Sequence, residues 1–148
     1  MDMGVIGSGD PWFSSRIRTG SIYRLIDTAQ KEGSSEARIE AIVHLGESRD
    51  PRAVYPLIEC CGDNDPSIRR CAIEALGKIG SGRAVDVLVE HLDDTNEDPD
   101  IRRGAVAALA SIRSEHACQE LRSRCADPGL DPSIRYAIAE AMEKGRER

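Results

Sequence analysis

Asp65-Pro-Ser-Ile-Arg-Arg-Cys-Ala-Ile-Glu-Ala-Leu-Gly-Lys-Ile-Gly80 is the stretch that decides the fold, because its pattern returns along the chain. Copies with substitutions begin at Asp98 and Asp131, and a looser copy covers residues 37–46. A fixed period of about 20–50 residues is typical of a solenoid, in which each repeat packs only against its neighbours. An isoleucine recurs every 33 residues at the same position of three copies, as Ile68, Ile101 and Ile134.

Each copy predicts a helix that begins at an Asp-Pro pair. Asp65 suits the N-cap, where its carboxylate accepts a hydrogen bond from a free backbone N–H, and Pro66 loses no hydrogen bond at the first helical position. Apolar residues then recur at the period of one helix face. They are Ile68, Ala72, Leu76 and Ile79, then Ile101, Ala105, Leu109 and Ile112, and finally Ile134, Ile138 and Met142. The sequence therefore predicts an all-α fold.

Two kinds of helix alternate from residue 36 onward. We expect first helices at 36–47, 66–79, 99–112 and 132–144, and second helices at 51–61, 83–93 and 116–126. Before them the pattern predicts a short helix at 11–18, a break at Gly20-Ser21 and a helical face ending near Gly33. We expect residues 1–20 to form a flexible or degenerate N-terminal cap, with residues 1–9 mobile. Residues 21–148 would form a single repeat domain.

Composition excludes several classes of partner. The formal net charge of −6 argues against nucleic acid binding. No apolar run approaches the roughly 18 residues of a membrane span, so we expect no membrane partner. Five cysteines is an odd number, whereas a secreted disulfide framework normally has an even one, and the first residues lack the pattern of a signal peptide. These features predict a cytoplasmic protein.

Four segments carry a resemblance to a known family, and one of them is Asp65-Pro66-x-Ile68-Arg69 of the stretch quoted above. Asp50-Pro-Arg-Ala-Val54, Leu57-Ile58 and Glu74-Ala-Leu-Gly-Lys-Ile-Gly80 resemble the HEAT-like repeat of the phycobilisome lyases, over about residues 21–144. The resemblance implies a right-handed α-α superhelix of about four helical pairs with a terminal unpaired helix, and second helices lining its concave surface. Such arrays include bilin lyases, a di-iron hydroxylase of deoxyhypusine, DNA glycosylases and interaction scaffolds, so the resemblance does not decide the function.

The residues do not fit the metal site of the hydroxylase relatives. Those proteins carry His-Glu pairs directly after the recurring arginine, because iron takes imidazole and carboxylate ligands. The histidines of this chain, His44, His91 and His116, fall in three different columns of the repeat. We therefore predict no metal ligands and no cofactor. The four slots hold Ile39-Glu40, Arg70-Cys71, Arg103-Gly104 and Tyr136-Ala137.

Most cysteines are expected to be small buried hydrophobic residues. Cys61, Cys118 and Cys125 occupy apolar columns, and Cys71 lies in a slot that Gly104 and Ala137 hold in the later copies. Cys60 lies off the core column, so we expect it to be the reactive thiol. The pattern places no second nucleophile or base beside it, so we predict no catalytic residue.

The second helices predict a candidate surface opposite their buried columns. Because packed helices lie roughly 8–10 Å apart, Asp27, Glu59 and Glu90 would form an acidic ladder too widely spaced to share a proton or a metal. Such a ladder suits a basic peptide or protein, and the tyrosines offer flat contact area. The alternative is a solvated polar face without a ligand. The predicted partner-binding residues are Tyr23 and Asp27, Tyr55 and Glu59, Asp86 and Glu90, and Gln119 and Ser123.

Arginines follow the helix-capping aspartates at a constant distance of four residues. Arg69 follows Asp65 in this way, as Arg102 and Arg135 follow the aspartates of their own copies. We expect a stacked Asp–Arg ladder that satisfies helix starts and ties each repeat to the next.

Together these features favour a non-catalytic scaffold that binds a protein or peptide, such as a basic one, on the concave face lined by its second helices. The alternative is a bilin-lyase-related enzyme subunit or a chaperone-like assembly factor. The last helix has apolar Ile134, Ile138 and Met142 but no following partner helix. We expect a monomer if Glu140 and its charged neighbours cap this end, and otherwise a weak homodimer through the C-terminal helix.

Overall fold

The computed structural model describes the backbone of residues 11–31 and 33–147 and the side chains of 21–31 and 33–147. Within these ranges there are eight α-helices, two 3₁₀ turns and no strand, which confirms the predicted all-α class. No helix of the described part is long and apolar enough to cross a membrane. The helices are α1 (Pro11–Gln30), α2 (Ser35–Ser48), α3 (Val54–Cys60), α4 (Pro66–Ile79), α5 (Val85–Asp93), α6 (Pro99–Ile112), α7 (Glu115–Cys125) and α8 (Pro132–Arg146).

Helix starts follow the predicted chemistry. Asp65 accepts a hydrogen bond from the Ser67 backbone N–H at 2.9 Å, and Asp98 accepts one from Asp100 at 2.7 Å. Pro66 and its counterparts occupy the first helical position of α4, α6 and α8. The capping aspartates therefore satisfy backbone donors that have no partner within the helix.

The helices form two layers around one core. The first helices α2, α4, α6 and α8 lie side by side and form the first-helix layer. The other helices, α1, α3, α5 and α7, pack against them and form the second layer. Each second-layer helix packs against the first helix that follows it: α1 against α2, α3 against α4, α5 against α6 and α7 against α8. The largest fully buried side chains are Ile42, Leu45, Leu57, Ile68, Ile73, Leu76, Leu88, Leu92, Leu109, Leu121, Ile134 and Ile138.

The N-terminal break predicted at Gly20-Ser21 is wrong, because α1 continues from Pro11 to Gln30. A glycine inside a helix costs only about 1 kcal/mol relative to alanine. Burial of Ile22 and Ala29 against the following helices offsets this cost. The mobile segment predicted at 1–9 lies outside the described residues.

The first helices approach one another more closely than the second helices do. Gly46 of α2 lies against Ala75 of α4, and Gly77 of α4 lies against Ala108 of α6. A Cβ added at either glycine would come within 2.9 Å of the facing alanine. Contacts among α3, α5 and α7 are sparse. The first helices therefore form the more closely packed layer, and the concave position of the second helices stays a prediction.

The recurring arginines bind acceptors other than the capping aspartates. The Nε groups of Arg38 and Arg102 donate to the backbone carbonyls of Ala29 and Leu92, at 3.0 and 2.9 Å. Both carbonyls lie in the last turns of second-layer helices, where backbone oxygens lack helical partners. The predicted Asp–Arg ladder is therefore wrong in its pairing. Arg38 and Arg102 do tie consecutive elements together, through the ends of the helices that precede them.

Candidate functional site

Two exposed tyrosines lie under arginines on the second-layer face. Tyr23 of α1 is 57% exposed and Tyr55 of α3 is 62% exposed. The Arg52 guanidinium lies 5.4 Å from the centre of the Tyr23 ring, and Arg83 lies 5.8 Å from that of Tyr55. At this distance a cation is attracted to the ring face. Each arginine comes from the start of the next second helix, so the stacks bridge consecutive repeats.

Sequence reasoning missed the arginines of this face. The signal was present, because Arg52 and Arg83 occupy the same position in the 3₁₀ turns before α3 and α5. The third repeat replaces this arginine by His116, whose Nε2 lies 3.3 Å from Asp86 Oδ1. A side chain therefore bridges consecutive second helices in each repeat.

The predicted acidic residues are exposed, and several have partners. Asp27 pairs with Lys31 at 2.6 Å, with both side chains more than half exposed. Glu59 accepts a hydrogen bond of 2.6 Å from Gln30 Nε2. Glu90 lies exposed on α5 and forms no ion pair within the described part of the chain. This face therefore carries a mixture of paired and unpaired carboxylates.

The last predicted pair, Gln119 and Ser123 on α7, carries neither an aromatic ring nor a carboxylate. Gln119 Nε2 donates to Glu115 Oε1 at 3.3 Å, within α7. Ser123 lines a polar crevice together with Arg124 and Asp127. Among the predicted residues, the tyrosines and carboxylates therefore lie on α1, α3 and α5.

Two adjoining cavities flank α6 on the first-helix face and share Ala107 and Ser111 in their lining, and we name them together the groove over α6. It extends on both sides of Ala107 and Ser111, towards α4 on one side and α8 on the other. At the corresponding positions α4 carries Glu74 and Lys78, so the short side chains of α6 form a valley between taller neighbours. The sequence pattern did not predict this groove, because its floor depends on a difference between repeats.

A buried ionic cluster joins α4 to the loop before α6. Arg69 donates to both carboxylate oxygens of Glu97, each at 2.9 Å, and His91 Nδ1 lies 3.1 Å from Glu97 Oε2. The Glu97 side chain is only 4% exposed. Hydrogen bonding to Arg69 lowers the pKa of Glu97 to about 2, against the opposing effect of burial. Because Glu97 is buried and fully paired, the cluster is structural.

The expectation that Cys60 is the reactive thiol is wrong. Cys60 is buried and its Sγ donates to the Ala29 carbonyl oxygen at 3.6 Å. Burial raises the pKa of Cys60, which disfavours the reactive thiolate. Cys61 is buried as predicted, with its pKa raised to about 12 by burial. Cys118 and Cys125 are only half-buried.

The described residues bring no metal ligands together. No group of three or more His, Cys, Asp or Glu side chains among them has a geometry that would hold a metal ion. The slots after the recurring arginine place Arg70, Arg103 and Tyr136 on the exposed surface. These side chains do not fit an iron site.

Comparisons with known proteins identify the repeat. The profile of the family described as HEAT repeats matches residues 22–98. Among proteins with curated functions, none matches the chain significantly.

Solved structures share the fold at low sequence identity. Human deoxyhypusine hydroxylase, solved in complex with glycerol, has a TM-score of 0.76 and 21% identity over 90% of this chain and 46% of its own. The CpcE–CpcF complex of phycocyanin lyase from Nostoc sp. PCC7120 has a TM-score of 0.67 and 20% identity, over 95% of this chain and 62% of the matched chain. This chain therefore spans less than two thirds of either, and the likeness shows the fold alone.

Proposed function

Because the chain belongs to the family of HEAT repeats, we propose that it is a non-catalytic interaction scaffold that binds a protein or peptide partner. HEAT-like arrays build extended surfaces from repeated helix pairs, and such surfaces commonly hold macromolecules. The binding surface is the second-layer face formed by α1, α3 and α5. Its key residues are Tyr23, Tyr55, Asp27, Glu59, Asp86 and Glu90.

The observation that carries this proposal is the pair of tyrosines held under arginines. A side chain already ordered before binding loses less conformational entropy when a partner arrives. Tyrosine and arginine are also the side chains that most often dominate binding energy at interfaces. Tyr23 and Tyr55 repeat on neighbouring helices, so they present two anchors in a fixed arrangement.

Charge supports a basic partner on this face. Asp27 lies one helical turn after Tyr23, and Glu59 lies one turn after Tyr55. The Asp86 side chain on α5 is 91% exposed. Exposed carboxylates beside aromatic anchors raise the rate at which a positively charged face associates and help to fix its orientation.

The experiment is affinity capture from the source organism, with the wild type and two charge-reversed variants. Asp27→Lys, Glu59→Lys and Glu90→Lys together change the proposed face. Glu36, Glu40 and Glu47 on α2, each changed to lysine, give a control with the same net charge on the other layer. We expect the partner to be lost from the first variant and retained by the control.

Equal retention of the partner by both variants would contradict the proposed surface. The readout also separates the scaffold from the alternative of a bilin-lyase-related subunit or assembly factor. Visible absorbance of a bound bilin in the purified protein would favour that alternative. A captured basic protein and no visible absorbance are the results expected of the scaffold.

A further inference from the structure

We propose that the groove over α6 docks an acidic peptide segment of a partner protein. This groove lies on the first-helix layer. The surface proposed above around Tyr23 and Tyr55, called the tyrosine surface from here on, lies on the second layer. Three features of the groove favour an acidic peptide: the charges at the rim of the groove, the backbone conformation of two arginines and the small side chains of its floor.

The groove is a positively charged region of an acidic protein. Its lining carries six cationic and three acidic side chains, a net charge of +3 in a chain whose total is −6. Each acidic side chain pairs with a cation on its own helix. These pairs are Glu74 with Lys78, Asp100 with Arg103, and Glu140 with Lys144.

The remaining positive charge lies on three exposed arginines. Arg49 and Arg70 border the α4 side of the groove, and Arg113 borders the α8 side. None of the three forms an ion pair with another described side chain, although Arg70 also borders a crevice with Asp98 and Asp100. Three uncompensated guanidinium groups around one groove complement carboxylates, which they bind in a bidentate geometry.

Two of these arginines occupy positions that favour glycine. Arg49 ends α2 with φ 54°, and Arg113 ends α6 with φ 57°. The equivalent position after α4 holds Gly80, with φ 74°. Side chains are disfavoured in this left-handed conformation. Two of the three helix ends that line the groove thus carry arginine where glycine would be less strained, and the third carries Gly80.

The floor suits a peptide better than a bulky folded surface. Gly104, Ala107 and Ala137 leave room for a backbone to approach α6. Axes of packed helices lie about 8–10 Å apart, so α4 to α8 spans about 16–20 Å. An extended chain rises roughly 3.3 Å per residue, so about five or six residues cross the groove.

The test is fluorescence polarisation at low ionic strength, where surface charges are least screened. The probe is a labelled peptide of alternating Glu and Ala, about twelve residues long, which exceeds the span of the groove. A Lys-Ala peptide and a single-stranded oligothymidine of equal length serve as comparison probes. We expect the Glu-Ala peptide to bind in a saturable manner and more tightly than either comparison probe.

Two variants test the site and remain informative about folding. Arg49→Gly with Arg113→Gly removes two charges while relaxing the backbone, so we expect affinity to fall at least about fivefold without a fall in unfolding temperature. Ala107→Leu fills the floor without changing charge, and we expect a similar loss. Arg24→Gln on α1 is the control, with less than about a twofold change.

Absence of saturable Glu-Ala binding would overturn the proposal, as would an equal loss in the Arg24 control. Tighter binding of the oligothymidine through the same arginines would assign the groove to nucleic acid and also overturn it. None of these outcomes bears on the tyrosine surface, whose test uses a different partner and different variants.

Discussion

Glu97 shows how a single residue joins two repeats. It is the one buried carboxylate among the described residues, and it receives hydrogen bonds from Arg69 and from the Asp98 backbone N–H. A buried charge is tolerated only when it is paired and fully hydrogen-bonded. The loop between α5 and α6 therefore depends on this carboxylate remaining ionised.

Replacing Glu97 by Gln should destabilise the protein by about 3 kcal/mol at pH 7, since one pKa unit corresponds to about 1.4 kcal/mol. The pKa of Glu97 in the folded protein is about 2, below its ordinary value of 4.5. Its contribution is therefore complete above pH 4.5 and decreases as the pH falls towards 2. Urea unfolding of the wild type and Glu97→Gln at pH 7 and pH 3 measures this. A difference in stability that stays constant between these pH values would contradict the pairing.

Helix ends with positive φ should respond in opposite directions to two kinds of substitution. Arginine to glycine should stabilise the protein, and glycine to alanine should destabilise it. Arg113→Gly should stabilise the protein by roughly 1 kcal/mol, because an L-residue in the left-handed region costs about 1–2 kcal/mol. Gly80→Ala should destabilise it by a similar amount, at an equivalent helix end with φ 74°. Thermal unfolding of both variants gives the sign. A loss of stability in both would indicate that the Arg113 side chain makes a stabilising contact.

Small residues decide how closely the helices of the first-helix layer pack. Gly46 and Gly77 bring the backbones of α2, α4 and α6 into close contact through facing alanines. This contact sets the tight spacing of the first-helix layer.

Two glycine-to-alanine changes separate close packing from helix propensity. Gly77→Ala would place a Cβ 2.9 Å from the Ala108 Cα, and overpacking of this kind costs about 1–3 kcal/mol. Gly104→Ala would meet nothing closer than Ile73 Cγ2 at 3.9 Å, so the gain in helix propensity, up to about 1 kcal/mol, should stabilise α6. Chemical denaturation measures both. Stabilisation by Gly77→Ala would contradict the close approach of α4 and α6.

The sequence predicted helix starts and cores well because both depend on local pattern. Asp65-Pro66 and the apolar period of Ile68 and Leu76 define a buried helix within a single repeat. The burial of Cys60 depends instead on a neighbouring repeat, since the Ala29 carbonyl that accepts from its thiol belongs to α1. The pairing of Arg69 with Glu97 likewise joins residues that no spacing rule connects.

At the scale of the whole molecule, both proposed binding surfaces lie at positions where the repeats differ in sequence. Repeated positions build the core and the bridges between helices, whereas Tyr23 and Tyr55 have no aromatic counterpart on α5 or α7. The valley on α6 likewise exists because Ala107 and Ser111 replace longer side chains. Both proposed surfaces therefore lie on variations of the repeat, which a periodic pattern alone does not reveal.

Self-association is a prediction at the scale of the whole molecule. The sequence predicts a monomer or a weak homodimer through α8. Light scattering at several concentrations distinguishes these states, and Met142→Glu on α8 should remove any concentration dependence. A dimer that persists in this variant would contradict association through α8.

The central claim, that the tyrosine surface binds a macromolecular partner, is tested most directly by calorimetric titration of the captured partner. Tyr23→Ala with Tyr55→Ala should weaken binding at least about tenfold, since aromatic anchors of this kind dominate interface energies. Tyr136→Ala is the matched control, because Tyr136 is 70% exposed on α8 in the other layer. We predict a change of less than about twofold in this control. Unchanged affinity in the double variant, or an equal loss in the control, would contradict the claim.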